Sequence, residues 1–499
     1  MKFFIKNALA IQVMVLIAAY SWIHGGTRAD LLLPVIPWLT LMVVEVAIFF
    51  PQCKSTETLS DARDRVKRHL RRDPLLYLSI ALTVLLVLPM FNETGIPELN
   101  RVTGEWVNKP APHKWLPSCV SAVDHASLLL WFIPTLVSLL AVRHGLLKRG
   151  KRVLLEMICW NGAALAVFGF VQQFTGATSV YWGTAKFSDF FSTFGYPNIA
   201  GAFFTLHFAL SAGMWFAHVT ETKIGPAVTE SLRELPEEKP LAAQQRMLLP
   251  AALNFAAALT TLSRAAIMLS LAILFGLSIY MVVGVWQNSE RGTKVKMFAT
   301  LQAVVLFVVL AMTVFAPSGM KNELNTISWQ AIVSRVTGAE QYHTRVANEI
   351  FKDHKLFGAG GWSYGFLQMQ YMTPEELKHI QVVGGVNVHN DTMQFLAEQG
   401  VLGFGLMVLC AWTLVIPLLV AMFKRYRESR ASRQPVPWPR WVYCHSPVCI
   451  VALVGPIATV VHSFADLPFR DPAVLLVWAL SFVCALGYVP NPKGHHHHE

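Results

Sequence analysis

Charge is what this chain of 499 residues has least of: Asp, Glu, Lys and Arg make up 14%, against 54% hydrophobic residues. A soluble domain carries about a quarter charged residues, so a water-soluble globular fold is excluded and a polytopic membrane protein is expected. Cysteine is sparse as well. Cys53, Cys119, Cys159, Cys410, Cys444, Cys449 and Cys484 are scattered along the chain and imply no disulfide framework. Cys444 and Cys449 are too far apart for a CxxC step and have no second pair, which speaks against a zinc site. The first apolar segment lacks a small-residue cleavage site and continues into a second one, so it reads as a span and not as a cleavable signal peptide.

Long apolar runs are what the chain does have. Stretches able to cross roughly 30 Å of hydrocarbon run over 3–23, 31–51, 74–92, 120–142, 153–173, 197–219, 247–263, 265–286, 297–316, 396–423, 446–465 and 472–489. The fold expected is therefore an all-α polytopic membrane protein of about 12 transmembrane helices. Lys and Arg collect in the loops 52–73, 143–152, 220–246, 287–296 and 424–445. Short basic loops stay cytoplasmic, which puts both termini in the cytoplasm. The net charge of +11 then reads as topology and contact with membrane lipid headgroups, with no nucleic-acid partner.

Three parts follow along the chain. Residues 1–316 hold spans one to nine, 317–395 form a helical cap on the outer side, and 396–490 hold spans ten to twelve. The tail 491–499, rich in His, is of natural or tag origin and is set apart. Within the cap, Val336, Val346, Ala347 and Ile350 recur at helical spacing, and Thr373-Pro374-Glu375-Glu376 predicts a helix start. Between them Phe357-Gly358-Ala359-Gly360-Gly361-Trp362-Ser363-Tyr364-Gly365 offers backbone for close approach to a ligand and aromatic rings for sugar faces. A plain turn is the equal alternative.

His389 precedes Asn390 and Asp391, either of which can cap the helix of the tenth span. The positive end of a helix dipole disfavours imidazolium, so a neutral, proton-accepting ring is expected there, suited to general-base work. A histidine at a membrane boundary with no such role is the competing reading. Arg264 lies between the seventh and eighth apolar stretches with almost no loop, where a guanidinium is costly unless an anion pairs with it or it snorkels to the headgroups. Arg345, on the amphipathic stretch of the cap, either binds phosphate bidentately or pairs with Glu349 one turn on.

Taken together these pieces resemble the O-antigen ligase and Wzy-type polymerase family of integral membrane glycosyltransferases. The similarity is carried by Ser192-Thr193-Phe194-Gly195-Tyr196-Pro197-Asn198, Thr261-Leu262-Ser263-Arg264, Arg345 with Leu356-Phe357-Gly358-Ala359-Gly360 and Trp362, His389-Asn390 with Gly400 and Gly403, and His462-Ser463-Phe464-Ala465-Asp466-Leu467-Pro468. Tyr196 departs from the family, which often has Asn there.

The resemblance implies an inverting glycosyl transfer on the periplasmic face of a bacterial inner membrane. The donor would be an undecaprenyl-diphosphate-linked glycan, with no cofactor and no metal. It implies His389 as catalytic base, and Arg264, Arg345, Asn390, Gly360 and Trp362 as diphosphate- or substrate-binding residues. The acceptor it implies is a lipid-linked repeat unit for a polymerase, the lipid A core for a ligase, or a protein hydroxyl for an oligosaccharyltransferase relative. Six Lys and Arg against seven Asp and Glu over 317–395 give the cap no strongly basic face for a phosphorylated core, which favours a polysaccharide polymerase. The alternative from another class is a transporter, for which Glu45, Glu156, Asn161 and Asn254 are the polar residues within spans; satisfied interhelical contacts are the favoured account of them.

Overall fold

Backbone N–H and C=O groups cannot remain unpaired in hydrocarbon, so apolar runs of these lengths close their hydrogen bonds within helices. The computed structural model describes residues 7–100, 102–183, 190–223, 246–288, 342–377, 387–431 and 440–489. In chain order its main helices are α1 (Ala8–Trp22), α2 (Ile36–Phe49), α3 (Pro74–Val87), α4 (Leu129–Gly145), α5 (Lys148–Phe174), α6 (Pro197–Lys223), α7 (Leu248–Thr260), α8 (Arg264–Asn288), α9 (Tyr342–Asp353), α10 (Asp391–Ala431), α11 (Pro447–Ser463) and α12 (Pro472–Ala485). A two-residue hairpin, β1 (Glu98–Leu99) with β2 (Trp106–Val107), is the sheet present among the described residues.

Among the described residues five segments are long and apolar enough to cross a membrane: Pro74–Phe91, Ala122–Gly145, Lys148–Phe174, Pro197–Ala217 and Asp391–Ala431. Six shorter helices are apolar too. The chain is thus an all-α membrane protein. The expected ninth span at 297–316, the cap residues 317–341 and 378–386, and the tail 490–499 lie outside the described residues.

Helix α6 is the hub. Its apolar window is 94% buried, and it packs against α5, α7, α8, α11 and α12. Small residues permit the closeness: a Cβ at Gly201 would lie 2.5 Å from Ala266 Cβ and 2.8 Å from Ser263 Cβ, so α8 begins against the first turns of α6. Polar residues within the bundle are taken up by neighbouring helices. Asn161 accepts from Trp22 Nε1 (3.0 Å) and donates to Ser21 Oγ (3.0 Å), Glu156 pairs with Arg246, and Asn254 donates to the Cys159 carbonyl of α5 at 3.3 Å. Glu45 lies on an exposed face of α2.

Helix α3 gives the molecule its two ends. It starts at the cap residue Asp73, whose carboxylate accepts from Leu75 N–H at 3.0 Å, directly after the basic helix Leu59–Leu70. It ends where the chain enters the loop bearing the hairpin. From that loop, Asn108 exchanges side-chain amide hydrogen bonds of 3.0 and 2.7 Å with Gln370. The basic segment and the 342–377 region therefore sit at opposite ends of α3.

The apolar run of the tenth span belongs to a longer helix, and that helix is broken at Gly400 (φ 62°, ψ −173°). A continuous helix would send Val401 N–H to Ala397 and Leu402 N–H to Glu398. Instead Val401 donates to Lys355 (2.9 Å) and Leu402 to Leu356 (3.1 Å), while Ala397 accepts from Ala359 (3.0 Å) and Glu398 from Gly360 (2.9 Å). The glycine loop thus satisfies the four groups that the break frees.

The close approach is backbone to backbone. A Cβ at Gly358, itself at φ 75°, would run into the Glu398 carbonyl and the Gln399 amide, and one at Gly400 would stand 2.5 Å from Gly358 N and Leu356 O. Gly358→Ala is accordingly expected to cost at least about 1–3 kcal/mol through left-handed strain and overpacking. Gly405→Ala, with open space around it, leaves stability unchanged or slightly raised. Thermal melts of the two variants in detergent check this, and a wild-type melting temperature for G358A contradicts the packing role.

Candidate functional site

The start of α10 is stitched to the segment that follows α11. Asn390 caps the helix, its Oδ1 accepting from Met393 N–H at 3.1 Å, while its Nδ2 donates to the Phe464 carbonyl at 3.0 Å. Asp391 N–H donates to the Asp466 carbonyl (3.2 Å), and Asp391 Oδ2 accepts from Phe469 N–H (2.8 Å). Held on both sides, His389 adopts a left-handed backbone (φ 55°), a conformation that costs a non-glycine residue about 1–3 kcal/mol. Its side chain remains 39% exposed, so the residue is held at its backbone while the ring stays partly accessible.

Three side chains stand behind the ring. The Tyr196 hydroxyl lies 3.2 Å from His389 Nδ1 and donates to Asp466 Oδ2 at 3.0 Å, and Asp466 Oδ1 is 3.7 Å from Nδ1. Asn198 Nδ2 donates to the Tyr196 oxygen at 3.0 Å and also meets Asp466 Oδ2. The one phenolic proton is spent on the carboxylate, so the Tyr196 oxygen accepts from His389 and Nδ1 carries the hydrogen. Nε2 is then the free acceptor. The arrangement resembles the way a carboxylate orients a catalytic imidazole, with a tyrosine set between them.

Of the residues singled out in the sequence, Arg264 is the first residue of α8, and Gly201 brings that turn against the start of α6, where Asn198 and Tyr196 lie. Arg345 points elsewhere. Its guanidinium is held by Glu376 and by the Tyr371 carbonyl at 3.1 Å, while Glu349, the partner expected from helical spacing, pairs with Lys352 at 2.8 Å. Residues two apart on a helix project to nearly opposite sides, and the residue of α9 that reaches His389 is His343, at 6.0 Å between ring centres. The expected helix start at Thr373 is present as a reciprocal cap, Thr373 N–H to Glu376 (2.7 Å) and Glu376 N–H to Thr373 (3.3 Å).

Gly360 and Trp362 lie one layer below. Gly360, at φ 93°, leaves room for Cys119, whose Cα would be 2.6 Å from a Cβ there. Trp362 N–H donates to Glu398 Oε2 (3.0 Å) and its Nε1 to Ser127 (2.7 Å). Its ring has Trp131 edge-on at 5.2 Å and the Arg470 guanidinium over its face at 4.8 Å. Arg470 and Glu398 form an ion pair whose side chains are 3% and 0% exposed. Gln394 donates to the other Glu398 oxygen at 3.1 Å. In this structure the glycine loop and Trp362 support the site from beneath and meet protein on the sides described. Among the described residues no group of three or more His, Cys, Asp or Glu side chains is placed to hold a metal ion.

Tyr196, Asn198 and Asp466 occur in the sequence motifs without a role there, and His343 was not singled out. The signal for Asp466 was a lone carboxylate among apolar residues at the end of α11; for His343 there was none beyond its place on an amphipathic helix.

Residues 249–408 match the Wzy_C family model, described as O-antigen ligase, which supports the family resemblance. The match includes Arg264, Arg345, Gly360, Trp362, His389 and Asn390, and it leaves Tyr196 and Asp466 outside. No curated protein matches the chain.

The two ion pairs differ in their cost of removal. Truncating one partner of the buried pair, by Glu398→Ala or Arg470→Met, strands a charge and is expected to cost about 3–5 kcal/mol. Arg345→Ala, at a pair with an exposed guanidinium, changes stability by less than about 1 kcal/mol. Melting of the three variants in detergent measures the difference; equal melting contradicts the supporting role of the buried pair.

Proposed function

We propose that the O-antigen ligase segment of this chain works as an inverting, metal-independent glycosyltransferase, moving a glycan from a polyprenyl diphosphate, undecaprenyl in bacteria, to a sugar hydroxyl. The observation that carries the reading is the chain Asp466, Tyr196, His389, which ends in an open Nε2 inside the matched segment. The acceptor hydroxyl gives its proton to Nε2 as its oxygen attacks the anomeric carbon, and the bond from that carbon to the diphosphate oxygen breaks. The proton ends on His389, and the polyprenyl diphosphate departs with the electron pair. A single displacement inverts the anomeric centre.

Negative charge grows on the leaving diphosphate, so cations near it lower the barrier. Arg264, at the same end of the bundle, is our first assignment. Arg345 joins it only by leaving Glu376 and swinging round α9 to the His389 side. Asn390 fixes the backbone that presents His389, and Gly360 and Trp362 hold the loop beneath it. We place the site on the periplasmic face of the inner membrane and both termini in the cytoplasm. The basic helix Leu59–Leu70 and the cap lie at opposite ends of α3, in keeping with that topology.

Between acceptors we favour a second lipid-linked repeat unit, hence a polysaccharide polymerase, because the cap sequence has near-equal charge of both signs. Cells lacking the protein accumulate single lipid-linked repeats on this reading; long unligated lipid-linked chains identify a ligase transferring to the lipid A core.

His389→Ala is expected to lose about 10²–10⁴-fold in transfer rate while staying folded, and Tyr196→Phe to lose less, because the ring remains but its orientation relaxes. Transfer from the accumulated lipid-linked glycan by purified variants checks both, and near-normal turnover by H389A sinks the assignment. Arg264→Lys keeps the charge but not the planar fork. It is expected to be impaired in the same assay, and full activity in R264K rules out bidentate binding at this position.

A further inference from the structure

His343 is an imidazole to which the mechanism above gives no task. It lies in the first turn of α9, half-buried, with its ring inclined by 66° to that of His389. Its Nδ1 is 2.7 Å from the hydroxyl of Tyr364, a fully buried side chain. The other contact of that phenol, the His343 carbonyl, is 3.5 Å away, at the margin of a hydrogen bond. The phenolic proton therefore goes to Nδ1, and the ring's own hydrogen sits on Nε2. Burial, with the neighbouring His389 adding to it, pushes the His343 pKa down to about 4. The ring accordingly stays a neutral N–H donor while His389 takes up a proton, a division of roles between paired titratable groups.

We propose that His343, through Nε2–H, holds an oxygen of the acceptor sugar adjoining the attacking hydroxyl and so selects which hydroxyl faces His389. The inference rests on the transferase reading and adds a residue that determines the linkage formed. Ring centres 6.0 Å apart put the two imidazoles in edge-to-face range, so neighbouring hydroxyls of one sugar at the rim of the pair can reach both rings when each hydrogen bond is about 2.7–3.2 Å long. A half-buried donor that the bound sugar covers rejects a sugar turned the wrong way, because that pose leaves the N–H without a partner. Tyr364 acts through His343, as a positioning residue that fixes its tautomer.

The test uses a total lipid extract of cells lacking the protein, which contains the accumulated donor and its natural acceptor. The extract is titrated in detergent against purified full-length wild type, H343A, H343Q and Y364F, and the product linkage is read by methylation analysis. H343A is expected to raise the apparent KM about tenfold or more with a smaller fall in kcat, and to give more than one linkage. H343Q, whose amide N–H can stand in for Nε2–H, restores the single linkage, and Y364F falls between. Wild-type KM and a single linkage in H343A overturn the proposal, and so does equal impairment of H343A and H343Q with lowered melting temperatures. Loss of transfer in H389A tests the transferase reading separately, so failure of one inference is not mistaken for failure of the other.

Discussion

The break in α10 at Gly400 is the constraint on which the rest of the site depends. A helix interrupted near a membrane boundary exposes N–H and C=O groups that must find partners, and the loop 355–360 supplies them in register. That pairing fixes the height of the loop against α10. It thereby sets Trp362 beside Glu398 and brings α9 to the flank of His389. Glycine is required because the pairing is backbone on backbone: a side chain at Gly358 or Gly400 has nowhere to go.

Above this joint the reactive group is assembled from segments far apart in the chain. Tyr196 and Asn198 come from the start of α6, His389 from the start of α10, and Asp466 from the turn after α11. Of these positions only His389 carried a functional signal in the sequence by itself. The tyrosine links a carboxylate and an imidazole whose separation of 3.7 Å makes a poor direct hydrogen bond, so orientation of the ring depends on a hydroxyl in between.

Much of the scaffold was legible in the sequence because hydrocarbon thickness imposes a length on every apolar run. The start of α10 and its Asn390 cap were legible for the same local reason. The glycine run was read as a place for ligand or for a turn, and its partner turned out to be the backbone of a broken helix; spacing along a chain does not say which distant backbone will meet it. Arg345 illustrates the limit again. Helical spacing points to Glu349, but the guanidinium takes Glu376, 31 residues away, because tertiary placement outweighs a pair worth only tenths of a kcal/mol. Tyr196 was read as a departure from a family pattern that often has Asn, and it is the phenol that reaches both His389 and Asp466.

The buried pair of Glu398 and Arg470 also orders the birth of the protein in time. The two residues are 72 positions apart, so at cellular rates of synthesis the carboxylate of α10 exists on the order of seconds before its guanidinium is made. Among the described residues Arg470 is the ion-pair partner of Glu398. Until the turn before α12 is translated, Glu398 has the hydrogen bonds of Gln394 and Trp362 but not its guanidinium, and its final seating waits on the last tenth of the chain. Completion of the turn before α12, which brings Asp466 and Arg470 to the start of α10, is therefore a condition for closing the site at that end.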